Sequence, residues 1–85
     1  MNFQVGDKVR VKSMQELAAL YGKPVQGVYG ATIHVPGGFD FVSGMEHFGG
    51  TVQKIVTVQE GHYYLSGAGG YAFTDAMLDR VGGYI

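Results

Sequence analysis

Val5–Ser13, VGDKVRVKS, is the stretch whose reading decides the fold. From Asp7 to Lys12 the residues alternate, with Val9 and Val11 on one face and Lys8, Arg10 and Lys12 on the other. That is the period of a β-strand with one face on a core and one in water. At Ser13 the period changes. Ser13-Met14-Gln15-Glu16 fits a capping box, in which the serine side chain accepts from the glutamate amide and the glutamate side chain reaches back to the serine amide. Met14, Leu17, Ala18 and Tyr21 then recur at i, i+3, i+4 and i+7. The stripe makes a helix of about two turns, and Gly22 with Pro24 stops it. A strand that passes at once into a short helix predicts the opening strand of a small barrel with a helical insertion behind it.

Further along, Val25–Val35 (VQGVYGATIHV) mixes β-branched and aromatic residues with Gly27 and Gly30, predicting a twisted or bulged strand or a hairpin arm. Pro36-Gly37-Gly38 breaks it. Phe39–Gly50 predicts a second short helix, with Asp40 as its cap and Phe41, Met45 and Phe48 on one face. Gly49-Gly50 ends it, and Gly44 inside it costs about 1 kcal/mol relative to alanine. Thr51–Gln59 is a strand, and Glu60-Gly61 turns it tightly into His62–Ser66, forming a β-hairpin. Tyr63 and Leu65 share a face, so Tyr64 points outward if Leu65 is core. The loop Gly67-Ala68-Gly69-Gly70 leads into Tyr71-Ala72-Phe73 as a third arm. Thr74-Asp75 caps one helical turn through Leu78, Asp79–Val81 returns beside the first strand, and Gly82–Ile85 is a tail.

No repeat, linker or low-complexity block divides this order, and 85 residues leave room for one modest core, so the chain reads as a single domain over 1–85. The expected class is mainly β: an SH3-like small barrel with a short helical insertion after the first strand and a second short helix. The alternative is an α+β layer in which the first helix covers an open antiparallel sheet.

Cysteine is absent. A disulfide framework and thiolate metal sites are thereby excluded, which suits a cytoplasmic protein. The N-terminal residues show no cationic start followed by an apolar run. No segment approaches the roughly 18 apolar residues of a membrane span, so no membrane association is expected. Charged residues are 15% of the chain and the net charge is −1, against an ordinary charged share of about 25%. With 46% hydrophobic and 13% aromatic residues, the chain holds more apolar material than so small a core absorbs. Exposed apolar patches mark interfaces, so a homo-oligomer or a constitutive protein partner is expected.

Several segments together carry a family resemblance. They are GDKVRVKS with Glu16-Leu17 in the helix behind it, Phe41 and Met45 ahead of Gly49-Gly50, the Tyr63-Tyr64-Leu65 strand, and YAFTDAML from Tyr71 to Leu78. In these the chain resembles small SH3-like proteins of unknown role found in phage and prophage genomes. Its GDKVRV opening is also similar to the first strand of KOW-type barrels. The resemblance implies the barrel fold and an origin in a mobile element. RNA binding of the KOW kind does not carry over, because the positive balance of those domains is missing here.

Candidate sites are few. Lys8, Arg10 and Lys12 lie about 6.5 to 7 Å apart along one strand face, a spacing a phosphate backbone can read. Phosphate neutralisation takes many cations, however, and nucleic acid is not the expected partner. The Gly67–Gly70 loop precedes a strand-like YAF instead of a helix, so it lacks the amide-lined N-terminus of a phosphate loop. Beside Tyr64 and Tyr71 it would still suit a nucleotide-like small molecule held by stacking and amide contacts. His34, His47, His62, Asp40 and Glu46 match no compact metal-ligand spacing. Ser13 is committed as a cap, and Ser43 and Ser66 lack an evident base.

The expected protein is therefore not an enzyme and carries no cofactor. It reads as a phage-type protein-binding or assembly module, acting in host takeover or counter-defence on a host or phage protein. The alternatives are sequestration of a nucleotide-like molecule and nucleic-acid binding through the basic strand. Lys8, Arg10, Lys12, Tyr29 and Tyr64, all predicted to face out, form the expected contact surface.

Overall fold

A computed structural model of the chain describes residues 3–81, so the predicted tail at 82–85 lies outside the described residues. The alternating stretch forms β1 (Lys8–Val11), with Val9 and Val11 fully buried. Ser13 Oγ accepts from the Glu16 amide at 3.1 Å and Glu16 Oε1 from the Ser13 amide at 2.8 Å, closing the capping box that starts α1 (Met14–Tyr21). Leu17 is buried, Met14 and Ala18 pack against the core, and Tyr21 is exposed, so the apolar stripe leaves the core at the helix end.

Behind α1 come β2 (Val25–Gly27), β3 (Gly30–Ile33) and β4 (Phe41–Val42). The chain continues through β5 (Val52–Gln59), β6 (His62–Leu65) and β7 (Leu78–Arg80). β1 lies between β5 and β7, antiparallel to both, and β6 extends the sheet to the order β6-β5-β1-β7. The β5–β6 hairpin turns at Glu60 and Gly61, with φ of 31° and 91°. Positive φ at both central residues gives the turn a twist that matches paired strands.

The fold is mainly β and built on two sheets, and this corrects the expected closed barrel. β2, β3 and β4 pair among themselves in a separate antiparallel sheet of order β2-β3-β4. The third arm of the meander shrinks to one bridge, in which Tyr63 and Phe73 exchange backbone hydrogen bonds of 2.8 and 2.9 Å. Directly after it Thr74 leads into a 3-10 turn at Asp75–Met77, which leaves no length for a longer ladder.

The second helix also differs from expectation. Phe41 and Val42 are held as strand by pairing with β3, so the helix begins only at Ser43. It is a six-residue 3-10 helix, Ser43–Phe48, and Asp40 does not cap it. Thr74 stands at the N-cap of the Asp75–Met77 turn, as expected, but its hydroxyl donates to the Pro36 carbonyl at 3.1 Å and makes no cap hydrogen bond.

Both sheets share one core. Val9, Leu17, Ile33, Phe41, Ile55 and Phe73, from seven segments with Met77, meet in it at 0–1% exposure. Tyr63 is buried in the same core, and its hydroxyl donates to Asp75 Oδ1 at 2.7 Å while accepting from the Phe3 amide at 3.3 Å. A buried phenol is tolerable only with such partners. Among the described residues no helix is long and apolar enough to cross a membrane.

Candidate functional site

The cation stripe of β1 stands where the alternation puts it, on the outer face of the four-stranded sheet. Pairing then brings acids to it. Arg10 is opposite Asp79 of β7 in the ladder and donates to Asp79 Oδ2 at 3.1 Å. It also forks onto Glu16, with Nη2 to Oε1 at 2.7 Å and Nη1 to Oε2 at 3.2 Å. Lys12 donates to Asp79 Oδ1 and to the Leu78 carbonyl, the latter at 3.2 Å. Glu16 is pulled down to about 2, chiefly by the Arg10 hydrogen bond and then by the Ser13 amide. The Arg10 pKa is raised by the same contact. Two of the three cations thus serve their own chain, and Lys8 is left exposed opposite Lys54.

Tyr29 and Tyr64 lie elsewhere, and together. They line an open groove of about 650 Å³ with Phe39, Asp40, Gly44 and Tyr71. That volume falls within the roughly 300–1,000 Å³ of ligand sites. Tyr29 sits in the two-residue turn between β2 and β3, where the Ser43 hydroxyl donates to its carbonyl at 3.0 Å and ties the hairpin tip to the 3-10 helix. Tyr64 stands on the half-buried outer side of β6, the side opposite the buried Tyr63 and Leu65. His62 shares that side, packing edge-on to Tyr64 at 5.4 Å and against Phe39 at 4.6 Å. These contacts form one continuous aromatic wall.

The other wall depends on Gly44. A β-carbon there would overlap the Tyr71 hydroxyl and lie 3.0 Å from the Tyr71 Cζ. The absence of a side chain lets Tyr71 lie across the 3-10 helix, where its ring also meets Phe48 edge-on at 6.1 Å. Among the described residues Tyr29, Tyr64 and Tyr71 do not stack on one another.

Asp40 is the one charged side chain among the described lining residues, which include neither lysine nor arginine. Its Oδ1 lies 3.1 Å from His34 Nδ1. The glycine loop contributes Gly70 to the rim, while Gly67 donates to Gln53 Oε1 at 2.8 Å and holds the loop to β5. Of the other polar candidates, His47 packs on Phe48 and the Ser66 hydroxyl accepts from the Lys54 amide. Among the described residues no three histidine, aspartate or glutamate side chains come together as a metal set.

The structure therefore divides the five expected contact residues into two places. Lys8, Arg10 and Lys12 share the sheet face, and Tyr29 and Tyr64 share the groove. Phe39 and Asp40 were not among the expected contacts, because their segment read as the start of a helix. The pairing of Tyr64 and Tyr71 beside the glycine loop was the one local signal of the groove. No family model, no curated protein and no solved structure matches this chain.

Proposed function

We propose that the protein is a non-enzymatic binding module that docks a partner protein through the aromatic groove. One observation carries this reading: Tyr29, Tyr64 and Tyr71, from three separate segments, converge on one open cleft with Phe39. Tyrosine supplies large, rigid contact area with a polar tip, and it is enriched at protein interfaces. The exposed Val28 at the hairpin tip, 94% accessible, adds an apolar rim.

The two other readings have less behind them. A nucleotide-like ligand finds rings to stack on, but Asp40 faces it and no cation among the described lining residues answers its phosphates. Nucleic-acid binding needs free cations, and Arg10 and Lys12 are already paired.

The SH3-like resemblance supplies the setting of a host or phage protein as partner. A last strand that returns to the first after a single helical turn supports an opened SH3-like arrangement. Ring and amide NMR with a panel of capped amino-acid amides, nucleosides and flat aromatics tests the reading. Shifts gathered at Tyr29, Tyr64 and Tyr71 are expected, and shifts confined to the β1 face, or none, would refute it.

A second reading, self-association, is favoured by the β2 edge. β2 is an outer strand of its sheet, and Val25 on it is 50% exposed. Unpaired strand edges are templates for another chain. Light scattering behind size exclusion over a dilution series decides it: a stable dimer or larger assembly is expected, and a persistent monomer removes the reading.

A further inference from the structure

Given the docking role proposed for the groove, on which this inference rests, we infer that the group it receives is an arginine side chain of the partner. The guanidinium lies against the tyrosine faces and pairs with Asp40.

Charge selects the class of occupant. The described lining joins several aromatic rings, whose faces carry negative potential, to a carboxylate and includes no lysine or arginine. Such a site attracts a cation and repels an anion. Asp40 is available for this, since His34 engages Oδ1 and Oδ2 carries no hydrogen bond among the described residues. Tyr71 lies against the space left at Gly44, and Ser43 ties down the backbone of Tyr29, so part of the cleft is in place before the occupant arrives. A binding site ordered in advance loses less freedom on association.

Shape selects arginine. A flat guanidinium stacks on aromatic faces and presents a fork to a carboxylate, which the compact, strongly hydrated lysine ammonium does not. The openness of the cleft selects a tethered group over a free molecule. Tyr29, Phe39 and Tyr71 remain 76%, 41% and 37% exposed, so the walls leave much of any free ligand wet. An arginine arrives on a protein surface that covers these walls and the Val28 tip as it docks.

The experiment is a titration of the intact protein with capped Gly-Arg-Gly, followed by the ring signals of Tyr64 and Tyr71. Capped Gly-citrulline-Gly serves as the neutral isostere and Gly-Lys-Gly as the other cation. The arginine peptide is expected to bind about tenfold more tightly than either, and Asp40→Asn to remove about that factor. Tyr64→Leu, which keeps an apolar side chain on β6, is expected to weaken the arginine peptide and leave the fold intact by amide spectrum.

Equal binding of arginine and citrulline peptides would overturn the inference while leaving the groove as the docking surface, and so would equal binding of the lysine peptide. Silence of the ring signals toward the arginine peptide, with response to nucleosides or other flat amides, would overturn it in the same way. Silence toward every probe would take the docking role with it.

Discussion

The outer face of the four-stranded sheet and the aromatic groove are the two surfaces that the sequence marks for contact, and they end in opposite states. On the sheet face, Arg10 and Lys12 are held by Glu16 and Asp79, one acid from the helix cap and one from the neighbouring strand. In the groove, the tyrosines stand apart, with Asp40 the one carboxylate among the described lining residues. A run of like charges along a strand invites counter-charges from the strands beside it. Rings scattered along the chain find no such local partner, and meet only where the fold brings their segments together. The more conspicuous feature of the sequence thus became structural, and the less conspicuous one is left with binding capacity.

The strongest way to break this contrast is to remove the support beneath the groove. Phe41 is fully buried in β4, directly ahead of the 3-10 helix that carries Gly44. Phe41→Ala is expected to cost about 3–5 kcal/mol, a large part of the stability of so small a domain, as measured by urea unfolding. A loss under about 1 kcal/mol would mean that the three-stranded sheet does not depend on the shared core.

Gly44→Ala acts on the groove alone. The new methyl group displaces the Tyr71 ring, with an expected cost of about 1–3 kcal/mol and a changed Tyr71 environment in ring NMR. An unchanged Tyr71 signal would show that the two residues do not touch.

The sheet face is sharpened by acid. Glu16 has its folded pKa lowered from 4.5 to about 2. Its contribution is therefore fully present above about pH 4.5 and is lost as pH falls toward 2. The side chain is 42% exposed, so the contribution is modest and screened by salt. Thermal unfolding of Glu16→Gln is expected to be less pH-dependent than wild type in this window, and parallel curves would remove Arg10 as its partner.

The smallest effect belongs to Tyr64→Ala. A partly buried side chain outside the core should change stability by about 1 kcal/mol in urea unfolding, even where groove binding is abolished. A larger loss would make Tyr64 a structural residue and weaken its role in docking.

Local chemistry was legible wherever a signal and its cause lie within a few residues. β1, the capping box at Ser13 and Glu16, the Glu60-Gly61 hairpin and the inward Tyr63 and Leu65 all follow from alternation or turn chemistry. The Phe41–Phe48 spacing misled because pairing with β3 captured Phe41 and Val42 before a helix could include them. Gly44 looked like a helix defect, and its reason is the ring of Tyr71, far along the chain.

By itself, then, the sequence determined a mainly β chain, its capped first helix, its last strand beside the first and a surface poor in charge. Alternation, capping and composition act over short distances, and any fold of this chain must satisfy them. Tertiary structure alone decided that the strands form two open sheets, that Glu16 and Asp79 quench the cations of β1, and that Tyr29, Phe39, Tyr64 and Tyr71 share one groove with Asp40. Those outcomes depend on which distant segments pair and on the space left between them, which residue spacing along the chain does not encode.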